Sequence, residues 1–526
     1  MPRYEIFPYS IEKLKELFST KSRATSALVK LKHHIGYFED YFKELKAKSI
    51  LIENEYVDRD FLDDFCGYYI RCFADYERKC KRFHFFDIEI TDEEFVSLLK
   101  GNEGRLSKDS LQKAYLGFLV IKPLPQTIIG RTCLKTYPSD GNRRHFPVTR
   151  SYEANLFGIP LKIENTLAFQ EQDHVVAACA TNALWSMFQI TGLNFNHPIH
   201  SPIEITKMAS ALSPLDPTRT LPNEGLTKAQ MAHAIRTVGL EPYPVAVQDE
   251  YILKNTLYEY LTARIPMVLI FFLYNEKERK IIGRHAVTLT GYSLGAQEST
   301  PYGQTGFLSR ASRIDKIYVH DDQVGPFARM VFDGKKIVLE DEKDKSVGMD
   351  SVSTSWQDKE GERGNIRALP ELVLIPLYHK IRLPFYLING IVSLFDNYIE
   401  EIRRIIPIPN NRPEWDIHLT TVNDLKREIL ASDFFKNQEY RLEILLKGMP
   451  RFIWRAIAWN SNMRLIELLF DATDIEQGPF FICAIEHNKP FSVILRQPLK
   501  DPNLIEALRI KPHWKILEWF EKNPLF

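Results

Sequence analysis

Cys179, His285 and Asp321 follow one another along the chain in settings that suit a thiol, a base and an orienting acid. Cys179 lies in FQEQDHVVAACATNALWSMF, flanked by Ala177, Ala178 and Ala180 and followed by an apolar run. The pattern predicts a helix that starts at Cys179. A thiol there meets the positive end of the helix dipole, which favours the thiolate. Its small neighbours leave room for a substrate backbone. Upstream stand Gln170, Gln172 and Asp173. The Gln172 amide, seven residues before the thiol, can reach back and donate to an oxyanion together with the Cys179 backbone N–H. His285 lies in IIGRHAVTLTGY and is expected to open a strand, on one face with Val287 and Leu289, where a base can face a thiol. Asp321 and Asp322 end the run IDKIYVH before a Gly325-Pro326 turn. A carboxylate there can hold the imidazole tautomer and orientation. Strand alternation puts Asp321 with Ile317 and Val319, so Asp321 is preferred to Asp322.

Each of these residues alone is ordinary. A helical cysteine is usually a small buried hydrophobe, and an Asp pair before Gly-Pro is usually turn chemistry. The case rests on order and setting.

The elements that must position them read as an α+β protein. Residues 1–150 begin with helical periodicity at Ile11–Leu17 and Ala27–Ala47. A third helix is expected from Asp60 to about Lys81, ending in the basic stretch Arg78 to Arg82, and a capped helix from Thr91, with Glu94 at the capping-box position. Strands are expected at Ala114–Ile121 and Thr127–Leu134. Residues 151–339 carry helices at Cys179–Thr191 and Lys228–Val238, stopped by Gly192 and Gly239, then strands at Pro242–Val247, Pro266–Tyr274, His285–Tyr292 and Lys316–His320. Residues 293–313 read as a long loop. Residues 340–365 are charged and apolar-poor and read as a linker or exposed loop. Residues 366–526 read as a helix-rich α+β region, with a strand at Leu372–Leu377 and helices around Ile388–Arg404, Val422–Leu430, Glu439–Leu446 and Trp454–Leu469.

Composition narrows the classes. Lys+Arg and Asp+Glu are both 68 in 526 residues, so bulk charge suggests neither nucleic-acid binding nor an acidic tail. The two longest uncharged apolar runs, Ile265–Tyr274 and Leu383–Phe395, are shorter than the roughly 20 residues a bilayer demands, and read as a buried strand and a core helix. The N-terminus lacks the apolar core of a secretory signal. Six cysteines without a CxxC pair suggest neither a zinc site nor a disulfide framework. A reducing cytoplasm is the expected compartment, with no membrane association.

The order Gln, Cys on a helix, then His and Asp on successive strands resembles the papain-like cysteine peptidase superfamily, and within it the bacteriocin-leader-processing type. Members of that type show a Gln before a Cys-Gly-Pro-Ala helix start, a helix ending in Leu-Gly-Leu, a strand led by Pro-Val, a Gly-His-hydrophobic strand ending in Gly-Tyr, and a strand ending in Asp-Pro. The matching stretches are Cys179 to Ala183, Thr237 to Leu240, Ile265 to Val268, His285 to Val287 with Gly291-Tyr292, and Tyr318 to Asp321. They span residues 165–335, about a third of the chain. Ala180-Thr181 replaces Gly-Pro, Asp322 replaces Pro, and Gln172 stands seven residues before the cysteine where the family has six, a place held here by Asp173.

The resemblance implies a papain-like core, a Cys-bearing helix packed on an antiparallel sheet, over 151–339. It assigns Cys179 as nucleophile, His285 as general base and then acid, Asp321 as orienting acid and Gln172 as oxyanion donor. It implies hydrolysis of a peptide or isopeptide bond in a protein or peptide substrate through a thioester, without metal or cofactor. Deamidation or transglutamination by the same triad, or a catalytically inactive scaffold, are the alternatives. Large flanks on such a peptidase suit a conditionally activated effector, such as a bacterial defence or toxin protein.

Overall fold

The computed structural model describes all residues except 1, 174, 212–219, 222–224, 341–345, 359, 407–410, 433–437, 476–479 and 524–526. The chain is mixed α+β and folds as two units, each assembled from separate stretches. Unit one comprises residues 1–247, 265–293 and 315–376; unit two comprises 248–264, 294–314 and 377–526. The expected boundaries at 150 and 339 therefore fall inside unit one.

Unit one opens with an antiparallel sheet ordered Tyr4–Pro8, Ser49–Tyr56, Cys80–Phe86, Tyr115–Ile121, Ile129–Leu134. Its core is aromatic, with Phe18, Phe38, Tyr41, Phe42, Phe83 and Phe85 fully buried. Thr91 caps its helix in a capping box with Glu94, as expected. The helix expected over Asp60–Lys81 is shorter. It runs Arg59–Gly67 from the Asp58 cap, and Lys81 and Arg82 belong instead to the strand Cys80–Phe86. Buried Cys80, Phe83, Phe85 and Phe86 hold that strand in the sheet, and Arg82 pairs with Glu53 across it.

The second sheet of unit one closes on itself. Its ring runs Met267–Asn275, Lys280–Leu294, Ile314–Asp321, Gly325–Val331, Val352–Ser353 and Ile366–Leu377, and the last strand pairs with the first. The strand Glu241–Ala246 adds outside Ile366–Leu377. The helix Cys179–Phe195 packs against the ring: residues 180–191 are buried all round, and the Thr288 hydroxyl donates to the Ala183 carbonyl. Gly192 lies inside this helix rather than ending it. Asn196, at φ 56°, caps it, while a Cβ on Gly192 would lie 2.7 Å from Ile199, so that glycine serves the close return of the chain. Gly239, at φ 86°, does follow its helix as expected.

The stretch 340–365 is not a linker in its described part. Lys336–Glu340 pairs with Ser346–Asp350, and Val352–Ser353 joins the ring. Buried Val352 and the Trp356 indole tie a charged sequence into the fold.

In unit two, the expected loop at 293–313 carries two short strands, Pro301–Tyr302 and Phe307–Ser309, which lead a sheet continued by Glu414–Thr421, Phe452–Asn460, Met463–Asp471 and Phe481–Glu486. The helix expected at Trp454–Leu469 is a hairpin of two of these strands, turning at Ser461 with φ 51°. Both faces of the hairpin are largely buried, so polar alternation is missing from its sequence. The helix Glu250–Thr262, unmarked in the sequence reading, packs on Glu414–Thr421, where the Tyr258 hydroxyl donates to Asp416 at 3.0 Å. Among the described residues, no helix is long and apolar enough to cross a membrane.

Candidate active site

The Cys179 helix starts from Ala178 in extended conformation, and no side chain caps it. Its first amides are therefore without a side-chain cap. Cys179 is half-buried, whereas the side chains of the next twelve residues are buried.

His285 is not at a strand start. It is the sixth residue of the strand Lys280–Leu294, opposite Phe271, and it is 4% exposed. Its Nε2 donates to Asp321 Oδ1 at 3.0 Å, which leaves Nδ1 for the Cys179 thiol, its other hydrogen-bonding partner. Burial alone would lower the imidazole pKa; the Asp321 charge and hydrogen bond, with Cys179, outweigh it and hold the ring well above the ordinary histidine range. The rings of Phe271 and Trp356 stand edge-on to the imidazole at 5.6 and 5.2 Å.

Asp321 ends the strand Ile314–Asp321, whose register slips between Val319 and Asp321. Oδ1 also accepts the Gln323 backbone N–H at 3.1 Å, and Oδ2 accepts the Trp356 indole N–H at 2.7 Å. Burial would raise this carboxyl; the imidazole and these donors hold it below its usual value. Asp322 is farther from the ring, its Oδ1 3.6 Å from Nε2. The preference for Asp321 on the imidazole matches this geometry.

Gln172 lies beside the turn that carries the two acids, its backbone N–H donating to the Asp322 carbonyl at 3.5 Å. Asp173 and Ala177 exchange backbone hydrogen bonds at 3.0 and 3.1 Å just ahead of the helix. Gln172 Oε1 accepts from Gln323 Nε2 at 2.8 Å, turning the amide nitrogen away from Gln323. Asp173 is a structural acid: its buried carboxylate accepts from the Tyr69 hydroxyl and the Val175 N–H. Gln170 is likewise spent, donating to Asn182 at 2.9 Å.

The sequence reading missed Trp356, Gln323, Asn182 and His34. His34 Nε2 bonds the Asp322 carbonyl oxygen at 3.0 Å, and Asn182 donates to Asp322 Oδ2 at 3.1 Å. A tryptophan stranded in a charged, apolar-poor stretch was the one available signal for Trp356.

Donor atoms of His285, Asp321 and Asp322 lie within 4.8 Å of one another. Asp321 is already saturated by N–H donors, the mark of a hydrogen-bonded acid. At the other acidic group, Asp358, Glu360 and Glu362, Lys277 Nζ sits 2.7–2.9 Å from each carboxylate and takes the place of a cation. Of the remaining thiols, Cys80, Cys133 and Cys483 are buried, and burial pushes Cys133 and Cys483 up to about 12; Cys66 and Cys72 are accessible. The arrangement can deprotonate a thiol, attack a carbonyl carbon and return the proton to a leaving amine. No protein-family model matches the chain, and no curated protein matches it.

Proposed function

We propose that the protein is a cysteine peptidase of papain-like design that cleaves a peptide or isopeptide bond in a protein substrate. The observation that carries this reading is the relay from the half-buried Cys179 thiol through His285 to Asp321 at 3.0 Å. His285 takes the thiol proton, and the thiolate attacks the amide carbonyl. The Cys179 backbone N–H and the Gln172 amide receive the oxyanion. The imidazolium protonates the departing amine and leaves a thioester. His285 then draws a proton from water, which attacks the thioester and frees the acid. Asp321 keeps Nε2 protonated and Nδ1 directed at sulfur throughout. A thiol helix lodged against a closed antiparallel ring supports the same reading. A reducing compartment suits a protein whose cysteines are all free.

The test has two arms. Iodoacetamide at neutral pH should label Cys179 ahead of Cys66 and Cys72, and His285→Ala should abolish that preference. Wild-type protein and Cys179→Ala are then incubated with a proteome from the source cells, and new N-termini are mapped. Cleavages lost with Cys179→Ala support the peptidase. Loss of ammonia release without new termini would favour deamidation or transglutamination. Equal labelling of Cys72 and Cys179, with no change of products, would favour a scaffold.

A further inference from the structure

The turn beside the triad holds a second carboxyl that the relay does not use. Asp322 is 4% exposed, and its Oδ1 has no hydrogen-bond partner while lying 3.6 Å from His285 Nε2. Its Oδ2 is fixed by the Asn182 side chain at 3.1 Å, and Asn182 in turn is held by Gln170 at 2.9 Å. Its backbone carbonyl is held by His34 and by the Gln172 N–H. The acid is thus positioned from three sides, yet one oxygen is aimed at the imidazole without a donor of its own.

Resting on the peptidase reading, we propose that Asp322 is a positioning residue for His285, a second carboxyl whose proton decides whether one or two negative charges stand beside the ring. The groups that face it are few. Asp321 and Glu171 are acids and disfavour its charge, the imidazole favours it, and Asn182 donates to it. Glu171 is itself paired with Lys32 and accepts the Ile128 and Ile129 N–H groups, so it remains an anion. The neutral His34 contacts the Asp322 main chain only through Nε2; burial lowers its pKa. Burial is the main force on Asp322 and, with the acids, raises it to about 7 against the pull of His285.

Its proton therefore leaves within the physiological range. Below that point Asp321 alone faces the imidazole. Above it, a second anion on the Nε2 side stabilises the imidazolium more than it disfavours the more distant thiolate, and the thiolate–imidazolium pair persists to higher pH.

The experiment follows Cys179 alkylation against pH in the full chain with iodoacetate, an anionic reagent drawn by the imidazolium, alongside an NMR titration of the His285 ring. The wild type should show an inflection near pH 7 and an alkaline limb that falls about one unit earlier in Asp322→Asn, the usual size of a close charge effect. Asn182→Ala removes the donor that favours the anion and should move the inflection upward. An Asp322→Asn profile that overlays the wild type, with His285 still controlling the thiol, would overturn the second-carboxyl proposal alone. Should His285→Ala leave Cys179 reactivity unchanged, the peptidase reading falls, and this proposal with it.

Discussion

Trp356 donates its indole N–H to Asp321 Oδ2 at 2.7 Å, and its ring also covers the imidazole edge-on. One residue from a charged stretch thus holds the acid and screens the base. Trp356→Phe keeps the ring and deletes the donor. A hydrogen bond to a charged group is worth about 1.5–3 kcal/mol, so Cys179 alkylation should slow roughly 10- to 100-fold. Wild-type rates in Trp356→Phe would show that the ring alone matters.

On the peptidase reading, variants of Gln172 and Gln323 should separate acylation from thiol activation. Gln172→Ala should lower turnover of an amide substrate by about 10²–10³-fold, the usual loss of one oxyanion donor. Iodoacetamide alkylation has no oxyanion and should stay within about twofold of wild type, since its transition state gains nothing from that donor. Parallel losses in both assays would mean that Gln172 props the helix instead. Gln323→Ala should resemble Gln172→Ala in weaker form, because Gln323 fixes the amide at 2.8 Å.

Gly325 sets how closely the helix His33–Glu44 approaches the turn after Asp321. A Cβ there would lie 2.2 Å from the Tyr37 ring, whose hydroxyl donates to the Pro326 carbonyl. Gly325→Ala should cost about 1–3 kcal/mol of stability by overpacking. Adding Tyr37→Ala should recover part of it, and a denaturation double-mutant cycle reads that coupling. Strict additivity would show that the contact carries no strain.

Glu259 gives unit two a pH signature. It is buried, neither oxygen has a hydrogen-bond partner, and burial holds its pKa well above the glutamate range. The folded state therefore binds this proton more tightly than the unfolded chain. Its stability contribution is complete below the ordinary glutamate pKa and is lost as pH rises toward the folded value. Denaturant midpoints from pH 5 to 8 should fall for the wild type and fall less for Glu259→Gln. Identical slopes would assign the trend to other groups.

Local chemistry was legible in the sequence. Ala-Ala-Cys-Ala before an apolar run sets a helix start at Cys179, and the Thr91–Glu94 box sets another, because both depend on neighbours a few residues apart. The choice of Asp321 over Asp322 was reached by strand alternation, although the register in fact slips just before Asp321. The Trp454–Leu469 hairpin was misread because burial on both faces erases the polar alternation that marks a strand.

By itself, then, the sequence singled out a thiol, an imidazole and an acid through their order along the chain and their settings, since each alone is ordinary. Tertiary structure decided what surrounds them. Trp356 stands 35 residues from Asp321, and His34 stands 288 from Asp322. Contacts at that separation leave no periodicity in the chain. They exist because ring closure and packing bring distant segments to one turn, and that same packing leaves Asp322 buried beside the base with one oxygen unpaired.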